Sequence, residues 1–188
     1  TKKYGIPLII DEVQAGMGIT GKWWAYEHYG IVPDIQTSAK KLQVAATIAN
    51  KKWFPKEASA ISSTWGGGHV LDLAMGVAII REIKKKKLLH HATKQGKKIQ
   101  KWMDNIAKEN KLIQNPRGLG LMRAFDLPSN ALRSQFRNEC FKKGLILLGC
   151  GMFGMRVIPP LNVKNEEIEE GMHIIQEIAQ TMNKNKRW

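Results

Sequence analysis

The sequence predicts an α/β unit followed by a smaller α+β unit, and three observations carry that expectation. The apolar run Pro7-Leu8-Ile9-Ile10 ends in Asp11-Glu12 and breaks into a loop containing Gly16, Gly18 and Gly21. In α/β proteins such a run reads as a buried parallel strand, and sites gather at its carboxyl end. Helical patterns follow over His69–Lys86, with Leu71, Ala74, Val77 and Ala78 as an apolar stripe, and over Ala92–Asn110. Beyond Pro116-Arg117-Gly118 the order becomes strand, helix, two strands, helix, which suggests a small α+β domain. The boundary between the two is expected near residues 90–115.

Each element has a local reason. Val32-Pro33-Asp34-Ile35 and Thr47-Ile48-Ala49 are short strand candidates, with Ser38-Ala39-Lys40-Lys41 between them. Ser62-Ser63-Thr64-Trp65-Gly66-Gly67-Gly68 is a polar loop feeding the helix from His69. The apolar stretch Leu119–Leu127 is a strand, and Pro128-Ser129-Asn130 caps a helix reaching about Lys143. Gly144–Gly149 and Met155–Ile158 are two further strands. The final helix, Asn165–Met182, opens with Glu166 and Glu167, which suit the positive end of its dipole.

Composition excludes several classes. The chain has 188 residues, 43% hydrophobic and 24% charged, which is ordinary globular composition. No apolar run approaches the roughly 20 residues needed to span a bilayer, and nothing near Thr1 reads as a secretory signal. The expectation is a soluble cytoplasmic protein, and a chain that begins at Thr1 reads as a piece of a longer one. The net charge of +14 is divided evenly, +7 in residues 1–94 and +7 in residues 95–188. A nucleic-acid binder concentrates its charge on one face or tail. The even spread argues against nucleic acid, and Lys84-Lys85-Lys86-Lys87 reads as a solvated helix face. Cys140 and Cys150 lack Cys-x-x-Cys spacing and read as reduced thiols.

Three motif matches fail on context. Gly16-Met17-Gly18-Ile19-Thr20-Gly21 spells G-x-G-x-x-G, but the acid that a dinucleotide site needs about 20 residues on is replaced by Lys40-Lys41. Gly16 to Gly21-Lys22 resembles a phosphate loop, yet Trp23 stands where Ser or Thr should hold Mg²⁺. The acidic strand also precedes that loop, which argues against a helicase-like ATPase. The histidines His28, His69, His90, His91 and His173 form no ligand pair, so no metal is expected.

Asp11, Lys40, Thr64 and Arg156 fit a different chemistry. Pyridoxal phosphate needs a lysine to hold it as a Schiff base and an acid that keeps its ring nitrogen protonated. A hydroxyl and backbone N–H groups hold its phosphate, and an arginine clamps the carboxylate of an amino or oxo acid. Spacing alone leaves alternatives, since lone acids and lysines are common. Asp11 could be a turn acid, Lys41 could take the place of Lys40, and Arg156 could pair with a structural carboxylate. Trp23 and Trp24 read as packing residues.

Here the sequence is recognisable. Leu8-Ile9-Ile10-Asp11-Glu12-Val13-Gln14-Ala15-Gly16-Met17-Gly18-Ile19-Thr20-Gly21 resembles the strand and loop of class III aminotransferases. Pro33-Asp34-Ile35 with Ala39-Lys40-Lys41 is similar to their lysine segment, and Ser63-Thr64-Trp65-Gly66-Gly67 to their phosphate threonine. Arg117-Gly118-x-Gly120-Leu121-Met122 and Arg156-x-x-Pro159-Pro160-Leu161 complete the match. Within the class, Lys40-Lys41-x-Gln43 and Gly120-Leu121-Met122-x-Ala124-Phe125 look most similar to the L-lysine 6-aminotransferase branch, with the 4-aminobutyrate and ornithine enzymes close.

The resemblance implies the fold-type I transferase, as a carboxy-terminal fragment. Residues 1–92 would be the back part of the cofactor-binding large domain, a mixed, mostly parallel sheet with helices, and residues 93–188 the small α+β domain. It implies pyridoxal 5'-phosphate as cofactor, with Asp11 on the ring nitrogen, Val13 against the ring face and Gln14 on the ring hydroxyl. Lys40 would form the internal aldimine, and Arg156 would bind the carboxylate of the oxo acid. Thr64 would reach the cofactor phosphate of the neighbouring subunit, which makes the partner a second copy in a homodimer. The implied substrates are a small amino acid, L-lysine first, and the 2-oxo acid 2-oxoglutarate. The family's amino-terminal half is not among these residues, so the chain alone is expected to bind the cofactor weakly and to be inactive. Ala39 stands where the family usually has glycine, harmless unless that residue needs positive φ.

Overall fold

The computed structural model describes residues 1–57 and 68–184. The chain divides into two units, Thr1–Leu89 and His90–Trp188. Its description matches the expected class: an α/β unit with a mixed sheet, then an α+β unit.

The first unit is built on β1 (Ile9–Asp11), β2 (Ile35–Ser38) and β3 (Ala46–Ala49), in that order across the sheet. β1 pairs with β2 in parallel, Ile9 opposite Ile35 and Asp11 opposite Thr37; β3 returns antiparallel, with Ser38 opposite Ala46. The second strand thus starts at Ile35, whereas sequence patterning centres it on Val32–Ile35. Pro33 has no N–H to give a ladder, and Asp34 uses its side chain instead, Oδ2 accepting from the Leu8 N–H at 3.0 Å. That bond, followed by one from the Trp53 indole, holds the Asp34 carboxyl below the usual carboxylate range. The glycine-rich loop after β1 is packed: Met17 and Ile19 are among the most buried residues of the chain. Trp24 lies against Gly16, filling the place a side chain there would take, in keeping with its reading as a packing residue.

Helix α1 (Val70–Lys85) closes this unit. Its expected apolar stripe is not its seat: Leu71 is 69% and Val77 48% exposed. The buried positions are Gly76 and Ile83. Gly76 brings the helix so close to the segment after the lysines that a Cβ there would stand 3.2 Å from the Leu42 carbonyl oxygen.

The second unit opens with α2 (Leu88–Glu109), then β4 (Gln114–Leu119), β5 (Met122–Asp126), α3 (Asn130–Lys142), β6 (Leu148–Cys150), β7 (Gly154–Val157) and α4 (Asn165–Lys184). The stretch Leu119–Leu127 that reads as one strand contributes to two, joined by a tight hairpin. Its sheet runs β4-β5-β7-β6, antiparallel throughout. Alternation puts Arg123, Phe125, Met155 and Val157 on the buried face. Phe125 meets Phe136 of α3 edge to face, centroids 5.7 Å apart. The buried residues of α4, Ile168, Met172, Ile175, Ile178, Ala179 and Met182, recur at helical spacing. Ser129 caps α3 as its sequence predicts, its Oγ accepting from the Leu132 N–H at 3.2 Å.

The buried guanidinium of Arg123 is satisfied by the hairpin it closes. It donates from Nε to the Gly120 carbonyl at 2.8 Å, and through another nitrogen to the Gly118 carbonyl and the Gln100 amide oxygen. Helix α2 crosses this hairpin through Gly96: a Cβ there would sit 1.9 Å from the Gly120 oxygen. Gly118 therefore serves the hairpin itself, since a Cβ there would stand 2.1 Å from the Met122 oxygen, while the backbone of Gly120 is what the helix packs against.

Two outcomes follow from this packing. Gly96→Ala forces backbone apart and should cost about 3 kcal/mol, read as a lower thermal midpoint; an unchanged midpoint would contradict the contact. Burial pushes the Cys140 thiol up to about 12, with Glu139 adding to it, while Cys150 is only half-buried. At about pH 8, where the thiolate is the reacting form, a thiol reagent should modify Cys150 and spare Cys140 until the protein unfolds. Peptide mapping reads this, and equal labelling of both would contradict it.

Candidate active site

Asp11 is the last residue of β1, and its carboxylate is held from one side only. Oδ1 accepts from the Val13 N–H at 2.8 Å and from the Thr37 hydroxyl at 3.1 Å. Oδ2 has no hydrogen bond to any described residue. Asp11 is indeed a turn acid, since the bond to Val13 is an Asx turn, yet half of its acceptor capacity stays open. Thr37 grips the same corner twice, because its own carbonyl accepts from the Glu12 N–H at 3.0 Å.

The neighbouring acid has the opposite fate. Glu12 is 1% exposed, and its Oε1 accepts from the Tyr26 N–H at 3.0 Å while Oε2 is buried without a partner. Sequence reasoning paired these two acids and gave a role to Asp11 alone. The alternation of a strand end, one side chain out and the next one in, is what separates them.

Beyond β2 the chain turns through the 3₁₀ segment Lys40–Leu42. Ala39 is extended, with φ −160°, so its methyl costs nothing. The left-handed residues are Lys40, φ +41°, and Gln43, φ +62°. Such conformations are disfavoured for residues with a Cβ and persist where the surroundings impose them. Here Leu42 is buried and α1 lies over it through Gly76. The turn sends the two lysines apart. The Lys40 side chain is exposed, whereas Lys41 Nζ donates to the Gln14 carbonyl at 2.6 Å. Burial, then the charge on Lys40, pulls the Lys41 ammonium below its ordinary value, with Glu12 opposing. Lys41 thus ties the lysine turn to the loop after β1, and Lys40 is the one left unengaged by its side chain among the described residues. Val13 and Gln14 lie half-buried on that loop.

Thr64 and its neighbours from Ser62 to Gly67 lie outside the described residues.

Arg156 belongs to the second unit. It stands in one row across the open face of the sheet, Arg117–Ala124–Arg156–Leu148, by strand register. The two arginines of that row differ in charge balance. Arg117 forms a bidentate pair with Asp126, at 2.7 and 2.8 Å. The Arg156 guanidinium has neither an ion pair nor a hydrogen bond to any described residue, and its Nε is buried without a partner. An unsatisfied guanidinium held on rigid strand is what a carboxylate ligand requires.

Sequence reasoning missed two contributors, Thr37 and the seating of Lys41. Thr37 could have been found from pattern, since pairing the apolar Ile9 with Ile35 places Asp11 opposite Thr37. The opposite paths of adjacent lysines carry no comparable signal, because they depend on a turn geometry that composition does not encode.

Comparison with known proteins shows the family. A family model described as aminotransferase class-III matches residues 1–179. A 4-aminobutyrate aminotransferase of Dictyostelium discoideum is 36% identical over 98% of this chain and 38% of its own length. An L-lysine-epsilon aminotransferase of Mycobacterium tuberculosis is 33% identical over 90% of this chain and 39% of its own. Among solved structures, lysine aminotransferase from M. tuberculosis in the internal aldimine form superposes with a TM-score of 0.90 at 31% identity, over 96% of this chain and 43% of that one. The chain therefore spans about two fifths of the length of these relatives.

The lysine turn depends on the close approach of α1. Gly76→Val should push Leu42 outward and lower stability by about 2 kcal/mol, measured by chemical unfolding. A variant as stable as the parent would show that the helix does not brace the turn.

Proposed function

The chain belongs to the class III aminotransferases, and from that premise we propose that the protein carrying it moves the terminal amino group of a small amino acid to a 2-oxo acid. Members of this family work with pyridoxal 5'-phosphate. The residues present fit that group: Asp11 keeps an acceptor oxygen open beside two fixed donors, which suits a protonated ring nitrogen. Bound there, the cofactor supplies an aldehyde to join to an amine and a ring that draws electrons from the carbon bearing the nitrogen.

The chain's own residues then take the following roles. Asp11 would hold a proton at the ring nitrogen, and Val13 and Gln14 would serve the ring face and the ring hydroxyl. Lys40 would hold the aldehyde carbon of the cofactor through Nζ and, with that amine free, could carry a proton to and from the substrate carbon. Lys41 is a positioning residue, tethered to the Gln14 carbonyl. Arg156 clamps the substrate carboxylate, and Thr64 serves the cofactor phosphate of the neighbouring subunit in a homodimer. Residues 1–92 belong to the cofactor-binding domain and 93–188 to the small domain, a division supported by the units Thr1–Leu89 and His90–Trp188.

The observation that carries the reading is the parallel pairing of β1 with β2, because it aligns the Asp11 corner with the strand that leads into the lysine turn. For the amino donor, likeness to a lysine aminotransferase favours the ε-amine of L-lysine, with 2-oxoglutarate as acceptor. A second reading, 4-aminobutyrate, is favoured by the 36% identity to an aminotransferase of that name.

A donor screen of the complete protein with 2-oxoglutarate tests this, and formation of glutamate from L-lysine is expected. Glutamate from 4-aminobutyrate instead would establish the second reading, and none from any terminal amine would overturn both. In the active protein, Arg156→Gln should raise KM for the oxo acid by about tenfold with a smaller change in kcat. An unaltered KM would remove Arg156 from the substrate site.

A further inference from the structure

We propose that Thr37 is a positioning residue for the cofactor, acting through Asp11. The inference rests on the reading of Asp11 given above and adds a residue to it. Two donors, the Val13 N–H and the Thr37 hydroxyl, converge on the same oxygen, Oδ1. Two bonds on one oxygen fix the plane and rotation of a carboxylate that a single bond would leave free to turn. They also commit Oδ1, so the other oxygen is the acceptor presented outward.

The two donors are not equivalent. The Val13 N–H is two residues along the same loop and moves with Asp11. The Thr37 hydroxyl comes from the neighbouring strand, where register places it directly opposite Asp11. The same residue's carbonyl holds the Glu12 N–H, so both the backbone and the side chain of Thr37 anchor the corner. Since Thr37 lies on the strand that continues into Lys40–Leu42, it references the carboxylate to the element carrying the lysine. A strand residue is a firmer reference than a loop. The hydroxyl is the part of Thr37 that matters, because its β-branched frame is shared by valine, which suits a strand equally well.

The test uses the complete holoenzyme loaded with pyridoxal phosphate labelled with nitrogen-15 in the ring. Four proteins are compared: the parent, Thr37→Val, Thr37→Ser and Asp11→Asn. The parent and Thr37→Ser should share the chemical shift of a protonated ring nitrogen. Thr37→Val should move toward the unprotonated position and release the cofactor about tenfold faster, the loss of one hydrogen bond to a charged oxygen. A Thr37→Val protein with the parent's shift and release rate overturns the proposal, as does a Thr37→Ser protein that behaves like Thr37→Val. Should Thr37→Val not fold, Thr37→Ala carries the same comparison. If Asp11→Asn leaves the nitrogen signal unchanged, or the parent takes up no cofactor, the reading of Asp11 fails and the proposal falls with it. A response to Asp11→Asn without one to Thr37→Val overturns the proposal alone.

Discussion

Parallel pairing between β1 and β2 is the constraint on which the candidate site depends. Asp11 and Lys40 are far apart in sequence, and neither has a direct bond to the other. What relates them is a ladder only a few residues long, in which Asp11 lies opposite Thr37 and the strand then turns into the lysine segment. Parallel strands need a crossover connection, and their shared carboxyl end is where ligands meet an open α/β sheet. The loop that makes this crossover is not slack: Met17, Ile19 and Thr20 are buried in it, and Glu12 is anchored on the Tyr26 backbone. The chain thus packs the inside of the loop to hold the outside of the corner in place.

The cationic side chains of the two units differ in whether protein partners take up their donors. Cationic groups whose donors are taken up by protein partners hold the architecture together. Arg117 is paired with Asp126, Arg123 is spent on hairpin carbonyls, and Lys41 is spent on the Gln14 carbonyl. Among the described residues, Asp11 Oδ2, the Lys40 side chain and the Arg156 guanidinium are left without such partners, and so is the buried Oε2 of Glu12. Unpaired buried polar atoms cost about 1–3 kcal/mol each, so the buried, partnerless Nε of Arg156 is a cost that packing alone does not repay. An acid, a lysine and an arginine kept open in this way match what amino-group transfer asks of a protein.

Much of this was legible in the sequence. The strand ending in Asp11, the two long helices and the Ser129 cap all rest on local rules, and local rules survive folding. The second strand slipped toward Ser38 because the Asp34 side chain takes over the pairing that Pro33 interrupts. The apolar stripe of α1 was read from periodicity, which reports an apolar face but not which neighbour covers it; the helix seats through Gly76 instead. Thr37 was overlooked since a lone threonine in a strand has no signature until its cross-strand partner is known. The separation of Lys40 from Lys41 lay beyond pattern altogether, because it comes from a left-handed turn imposed by packing.

We propose that Lys40, carried by the turn that follows the strand paired with β1, bears the cofactor. Borohydride reduction of the complete protein with pyridoxal phosphate, followed by peptide mapping, tests it most directly. The account predicts a phosphopyridoxyl group on Lys40, with Lys41 unmodified because its amine is held by the Gln14 carbonyl. Label on Lys41, or scattered over the surface lysines, would contradict it.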